Sequence, residues 1–457
     1  MSKILLISLV FVISNLSVYA QKDSEKTKFI VDIPLLDLPA NLDNNWLAFN
    51  QFSPSMPQSL GFSKSITETQ QYYTKRMFFN PNKNYSIGRK ILKETGVAAT
   101  NLIIEAILSG TPFGTGWTHE EWHRAVMNKN NVGSYNDMNT FPIGQDVISV
   151  SNVLDKDLER FKKSNNPDFV RMGAAGIEAQ FEHVKALQKD NFFYGLNLSS
   201  QVSYWKNTIN AMSYLRMTST IGGDDLTIEL ENEEGTDISE RDFTGLDFTA
   251  WIYDLSRPNE AYAQRGRHVS GVGFRRYRIT SDLTTEELDY LTKMGQLQML
   301  NFVSPHLFFI NSIKLNQNLR FNFGLFHYLT SFGYDVGSNF FVEHKHNKIF
   351  FAFHNYHNLN NSFYGIETQI IDKAFKVGNK TLLLSPSVHV WTQPNNQEFR
   401  TDESIFGGKV KILAATKLGK IWQPYLSVSA KTKGWAAGDV YQDSNFSGRF
   451  GIRTFIK

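Results

Sequence analysis

The sequence predicts an α+β fold, with a mostly helical region over residues 84–306 and an antiparallel array of about eight strands over residues 307–457. Three observations carry that prediction. Up to Ser304 apolar residues recur at three- and four-residue spacing. After Pro305 they alternate with polar ones. Turn-forming residues then punctuate the alternating part.

Residues 1–20 read as an export signal. Lys3 supplies the charged start, Ile4 to Ile13 the apolar run, and Val18-Tyr19-Ala20 a small-residue cleavage site before Gln21. Residues 21–83 form an N-terminal extension without a strong period of their own. No other run is long and apolar enough for a spanning helix, so a membrane-embedded form has to be a barrel. The chain has no cysteine, which excludes thiol catalysis, cysteine-ligated zinc, iron–sulfur clusters, disulfides and a lipid anchor on cysteine. Its 47 basic and 44 acidic side chains balance too closely to imply a nucleic-acid partner.

Within the helical region the spacing predicts helices over Ile87–Ser109, Asp168–Gln188, Tyr194–Met217 and Thr284–Phe302. Asp282 and Thr284 are cap-type residues ahead of Glu286 and Glu287. Between these helices lies an acidic stretch, Asp224 to Asp242. There the alternation Leu226-Thr227-Ile228-Glu229-Leu230-Glu231 predicts a solvated hairpin strand rather than a calcium loop, since the acids lack EF-hand spacing.

In the last third, Leu319, Phe321, Phe323 and Leu325 alternate with Arg320, Asn322 and Gly324, and comparable series surround Val388, Val428 and Phe450. Asn316-Gln317-Asn318, Gly378-Asn379, Pro394-Asn395-Asn396 and Asp443-Ser444-Asn445 supply turns. Pro386 and Pro424 fall inside two strands and mark edges or bulges. One face is apolar throughout and the other carries Arg, Lys, Ser, His and Asn. A soluble sandwich gives the same alternation. The export signal, the long strands and the load of 36 Phe and 18 Tyr favour lipid outside. In this pattern the segment resembles Gram-negative outer-membrane β-barrels, which implies a C-terminal β-barrel of about eight strands surrounded by membrane lipid.

The sharpest chemical signal is His119-Glu120-Glu121-Trp122-His123. On a helix, residues four apart share a face, so His119 and His123 can aim imidazole nitrogens at one ion. Glu120, beside the first ligand, can take a proton from the attacking water. Thr118 and Glu121 have capping-box spacing, with Trp117 and Trp122 placed to staple the cap, so the motif is expected to open its helix after the glycine-rich 110–116 stretch. The alternative is a plain amphipathic helix start. HExxH is the signature of the zincin metallopeptidases, and the resemblance implies a zinc cofactor and a peptide or protein substrate.

Zinc needs a third protein ligand. Glu178, within Gly173-Ala174-Ala175-Gly176-Ile177-Glu178, is an acid on a small, apolar helix surface that asks for a partner, either a metal ion or a salt bridge between helices. The arrangement resembles the gluzincins, in which a glutamate on a downstream helix completes the site and an acid four residues later supports a ligand; Glu182 occupies that later position. Glu182 and His183 are rival third ligands. A second polar group, Arg265 to His268 with Arg275-Arg276-Tyr277-Arg278, offers His268 or Tyr277 to an oxyanion and an arginine to a carboxylate. The alternative is a basic rim pairing with the acidic 224–242 stretch or with lipid phosphates. The expectation is an outer-membrane zinc metallohydrolase, a peptidase, with Glu120 and His268 catalytic and His119, His123 and Glu178 on the metal. The alternative function is a non-catalytic barrel subunit of an envelope assembly or secretion complex.

Overall fold

A computed structural model describes residues 29–41, 54–80, 82–143, 149–195, 197–419 and 421–456. The expected signal segment lies outside these residues. Strand β1 (Phe29–Asn41) precedes helices α1 (Met56–Phe78), α2 (Ile87–Leu108) and α3 (Thr115–Lys129). Two short strands follow, β2 (Tyr135–Asn136) and β3 (Val150–Ser151). Next come α4 (Asp155–Ser164), α5 (Asn166–Tyr194), α6 (Leu198–Met217), α7 (Ile221–Glu233), α8 (Asp247–Ser256) and α9 (Thr285–Leu297). The rest is strand: β4 (Ile313–Lys314), β5 (Leu319–Thr330), β6 (Gly333–His344), β7 (Asn347–His357) and β8 (Ser362–Ile371), then β9 (Lys373–Val377), β10 (Lys380–Pro394), β11 (Ser404–Thr416), β12 (Trp422–Lys431) and β13 (Asn445–Ile456).

The chain is thus α+β, with an 11-stranded antiparallel sheet in the order β1-β13-β12-β11-β10-β8-β7-β6-β5-β4, and β9 paired to β10. Eight strands between Leu319 and Ile456 are 10 residues or longer, the length at which alternation is readable. β4 and β9 are too short to show a period. β1 comes from the segment read as an extension. Both prolines sit where their missing N–H is harmless. Pro386 falls in the gap between the residues of β10 that pair with β9 and those that pair with β8. Pro424 lies beyond the last β12 residue bonded to β11.

Parts of β8 and β12 turn apolar side chains outward and polar ones inward, while Phe326, Phe341, Phe350, Tyr356 and Trp391 of the same sheet turn into the core. On β8, Tyr364, Ile366 and Ile370 are exposed while Glu367 and Gln369 turn in. On β12, Leu426 and Val428 are exposed while Ser427, Ser429 and Lys431 are buried. Helix α5 runs over this polar face: Lys185 reaches Glu367 at 3.3 Å, Lys189 reaches Gln369 at 3.1 Å, and the Tyr328 hydroxyl donates to Glu182 at 2.9 Å. The free edge of β1 is covered by α1. Ser65 Oγ accepts the Asp32 N–H at 3.0 Å and donates to the Asp32 carbonyl at 3.1 Å, and Gln58 donates to the Leu35 carbonyl at 3.2 Å.

Helix α5 is the axis of the core. Asn165 caps it, its side chain accepting from the Asp168 N–H, and it stops at Gly195, whose φ of +113° a side chain would resist. One side packs with α8 and β5 through Ile177, Phe181, Trp251 and Phe326. The other packs with α3 and α4 through Trp122, Val126, Phe161 and Met172. The expected 226–231 hairpin is instead part of α7. Six alternating residues also contain an i,i+4 pair, Leu226 and Leu230, and Thr220 caps the turn by accepting from the Gly223 N–H. Among the described residues no helix is long and apolar enough to cross a membrane.

Candidate metal centre and its cavity

Helix α3 carries the HExxH residues, but the motif does not open it. The helix starts a turn earlier from Gly114, and Thr118 turns its hydroxyl back to the Gly114 carbonyl at 3.0 Å rather than capping. Glu121 is tied to Arg124 and to Asn136, and the Trp117 indole donates to Asn139 at 3.0 Å. The extra turn places His119 and His123 inside a packed helix, which holds both rings more firmly than an opening turn would.

Both rings face the glycine side of α5 and the start of α8. A Cβ on Gly176 would stand 2.2 Å from His119 Nε2, and one on Gly173 would stand 3.4 Å from the Asp247 carbonyl oxygen. Asp247 lies in the first turn of α8, its own N–H donated to the Tyr214 hydroxyl at 3.2 Å. Its Oδ2 is 3.0 Å from His119 Nε2 and 3.5 Å from His123 Nε2. The three ligand-type atoms all lie within 4.8 Å of one another, so this buried group can hold a metal ion.

The protonation pattern suits that role. His123 Nδ1 faces the Met172 carbonyl, which can only accept, so Nδ1 carries a proton and Nε2 is the nitrogen turned towards Asp247. That Nε2 is buried and makes no hydrogen bond. Burial alone would raise the Asp247 carboxyl, but His123 and His119 outweigh it and hold it well below the usual carboxylate range. Burial likewise opposes charge on His123, yet Asp247 lifts that ring to about 9. The carboxylate thus calls for one positive charge between the rings, from a proton or a metal ion. Glu120 is 6% exposed and makes no hydrogen bond among the described residues. Burial, helped by Asp247 and Asp242 and opposed by His123, pushes its carboxyl well above the ordinary value.

A cavity of about 590 Å³ opens beside these residues, lined by His119, Glu120, Gln180, Tyr214 and Tyr277 among others. Tyr277 donates to Glu234 Oε1 at 2.7 Å. His268, expected as a catalytic group, is not on the cavity wall. It sits behind Glu234, with Nε2 3.1 Å from Glu234 Oε2 and Nδ1 3.0 Å from Ser270. The arginines near it are paired away from the cavity, Arg265 with Asp254, Arg276 with Asp155 and Arg275 with Glu231.

Glu178, expected as the third ligand, is not brought to the histidines. Arg171 holds it at 2.9 Å, the Gly438 N–H donates to it at 2.8 Å, and the side chains of the pair are fully buried. The reason is helical geometry. Gly176 faces His119, and two residues on, at about 100° each, turn Glu178 some 200° away. Glu182 is committed to Tyr328 and Lys185. His183 is buried and lowered to about 3 by burial and by the charges of Lys64 and Lys206, which places it towards α1 and α6. Asp247 escaped the sequence reading because it lies far downstream of the motif. Its signal was an acid at the head of a mostly apolar run, Phe248 to Tyr253.

A second group, His354, Glu367 and His389, also has ligand-type atoms within 4.8 Å of one another. Here Lys185 already stands 3.3 Å from Glu367, and the Tyr356 hydroxyl occupies His389 Nε2 at 2.9 Å. Comparison with family models, with curated proteins and with solved structures gave no match.

Proposed function

We propose that this chain is an outer-membrane zinc metallohydrolase acting as a peptidase, with His119, His123 and Asp247 as ligands and Glu120 as general base. The observation that carries the reading is the meeting of two imidazoles and a carboxylate around the buried, unbonded Nε2 of His123, with the unpaired Glu120 beside them at a cavity. A His₂-carboxylate set with one open position is a known catalytic zinc donor set. A zinc ion held there supplies Lewis acidity towards a water and a carbonyl. Glu120 receives the proton of the attacking water at its carboxylate and returns it to the leaving amine. Tyr214 fixes Asp247 through the backbone. Tyr277, its hydroxyl donated to Glu234, stands on the cavity wall where His268 does not.

Purified protein is expected to contain one zinc per chain by elemental analysis, because the ammonium of Lys185 already supplies the second group's cation. His119→Ala, His123→Ala and Asp247→Ala should each lose most of it. Glu178→Gln should retain it. Full zinc in the Asp247 variant, or its loss in the Glu178 variant, would return the third ligand to Glu178.

The membrane part of the proposal is supported by the outer face of the sheet. Exposed Tyr364, Ile366, Phe406, Ile412, Leu426 and Phe450 make an apolar outer wall, as on a lipid-facing barrel. The chain is expected to fractionate with outer membranes, to need detergent for extraction and to change gel mobility on boiling. Recovery as a detergent-free soluble protein would overturn this part and leave the metal site untouched.

A further inference from the structure

Helices α1 and α2 are turned inside out. From Leu92 to Ile107 every exposed residue of α2 is Leu, Thr, Ala or Ile, with Leu92 74% and Ile107 66% exposed. Its buried face instead carries Asn101 and Glu105 beside Val97. On α1 the buried residues after Met56 are polar, Ser59, Ser63, Glu68 and Gln71 among them, while Ile66, Tyr73 and Met77 are exposed. The polar faces meet each other and the start of α6. Gln70 donates to Asn101 at 2.9 Å, Gln71 donates to Glu105 at 2.7 Å and to Ser203 at 2.9 Å, and Asn197 donates to Glu68 at 3.3 Å. The end where α1 runs into α2 has another character. Residues 75–94 hold Lys75, Arg76, Lys83, Arg89, Lys90 and Lys93 against one acid, Glu94. Phe79 and Tyr85 meet edge to face there with ring centres 5.7 Å apart, and Lys93 stands 4.8 Å from the Tyr85 ring. Helix α1 joins this face to the sheet, lying along the edge of β1, where Leu36 and Leu38 are also exposed.

We infer that the exposed face of α1 and α2 is a lipid contact, with the acyl chains of a bilayer on its Leu and Ile side chains and lipid phosphates at the basic end. The inference rests on the membrane part of the reading above and extends it from the sheet to the helices. A helix facing water buries its apolar side and shows its polar side. Hydrocarbon reverses the choice, because polar groups are then satisfied only against other parts of the protein. A protein partner also covers apolar side chains, but basic residues and aromatic rings gathered at one end are the arrangement that a bilayer interface selects. The length agrees. Leu92 to Ile107 rises about 22 Å along the helix, against an apolar band of about 25 Å on outer-membrane barrels. Neither helix has to cross alone, since only one side of each meets lipid. Ser109, just past the end of α2, lines the cavity beside His119, so the contact holds the candidate metal centre close to the membrane.

The chain has no cysteine, so an introduced one reports a single position. Full-length Leu102→Cys protein is labelled with an environment-sensitive fluorophore and reconstituted into vesicles of phosphatidylethanolamine and phosphatidylglycerol. Leu92→Cys takes its place should that variant fail to fold. Leu426→Cys marks the outer wall of the sheet and Glu286→Cys an exposed charged position. The α2 label is expected to emit at shorter wavelength than the Glu286 label, to lose most of its fluorescence to lipids brominated on the acyl chain, and to lose little to iodide in the water. Iodide quenching of the α2 label, with the Leu426 label quenched by brominated lipid, overturns the inference and leaves the membrane reading standing. An α2 label reached by neither quencher overturns it in favour of a protein partner or a second copy of the chain. Should the Leu426 label also be open to iodide, or the chain stay outside the vesicles, the membrane reading falls and the inference with it.

Discussion

Replacing Glu120 by Gln is expected to leave a folded, zinc-loaded protein whose peptide hydrolysis falls about 10²–10⁴-fold. The amide keeps the size and shape of the carboxylate but cannot accept a proton. Glu120 makes no hydrogen bond among the described residues, and Gln in its place relieves the cost of a buried charge, so stability should not fall. Metal content should hold because Glu120 is not among the three converging ligands. The measurement is turnover of a chromogenic peptide alongside elemental analysis of the same sample. Full activity with full zinc would remove the peptidase reading and leave the chain as a non-catalytic envelope subunit.

The largest effect on stability should come from Arg171→Met. Arg171 and Glu178 are both fully buried, and the guanidinium also donates to the Asp439 carbonyl at 2.6 Å and to the carbonyls of Val440 and Ala436. Methionine fills much of the space and leaves Glu178 with the Gly438 N–H as its remaining partner. Breaking one side of a buried ion pair typically costs about 3–5 kcal/mol. A loss of that order is expected in denaturant unfolding, with Glu178→Met in the same chain restoring much of it, since two apolar residues leave no charge stranded. Zinc per folded molecule should stay constant in both variants, separating this structural pair from the metal centre. A loss below about 1 kcal/mol would mean that water reaches the pair.

How far the sequence discloses this molecule follows from the range of each signal. Local signals read through. The i,i+4 histidines, the Thr284 capping box with Glu287 and the two-residue period of the long strands are written within a few positions, and the structure has them. The Gly173–Gly176 stripe was legible as a close approach, but not which element would approach. That depends on α3 and α8 arriving from elsewhere in the chain, so the neighbouring Glu178 drew attention that belonged to Asp247. Short-window ambiguity explains α7. Leu226 to Glu231 satisfies both periods over six residues, and only the Thr220 cap outside that window decides for helix. The place of β1 was invisible for the same reason at a larger scale, because its partner is the last strand.

That partnership sets a timetable for assembly. Phe29 is matched with Ile456 and Ala40 with Phe446, so the first described strand waits for the last one before it has a neighbour. Until then its backbone donors and acceptors have α1 on one side and no strand on the other. Closing so long a loop is slow, and a chain still being made cannot do it at all. The seam between β1 and β13 is therefore among the last pairings to form, and removing Asn445–Ile456 would leave β1 without a strand neighbour.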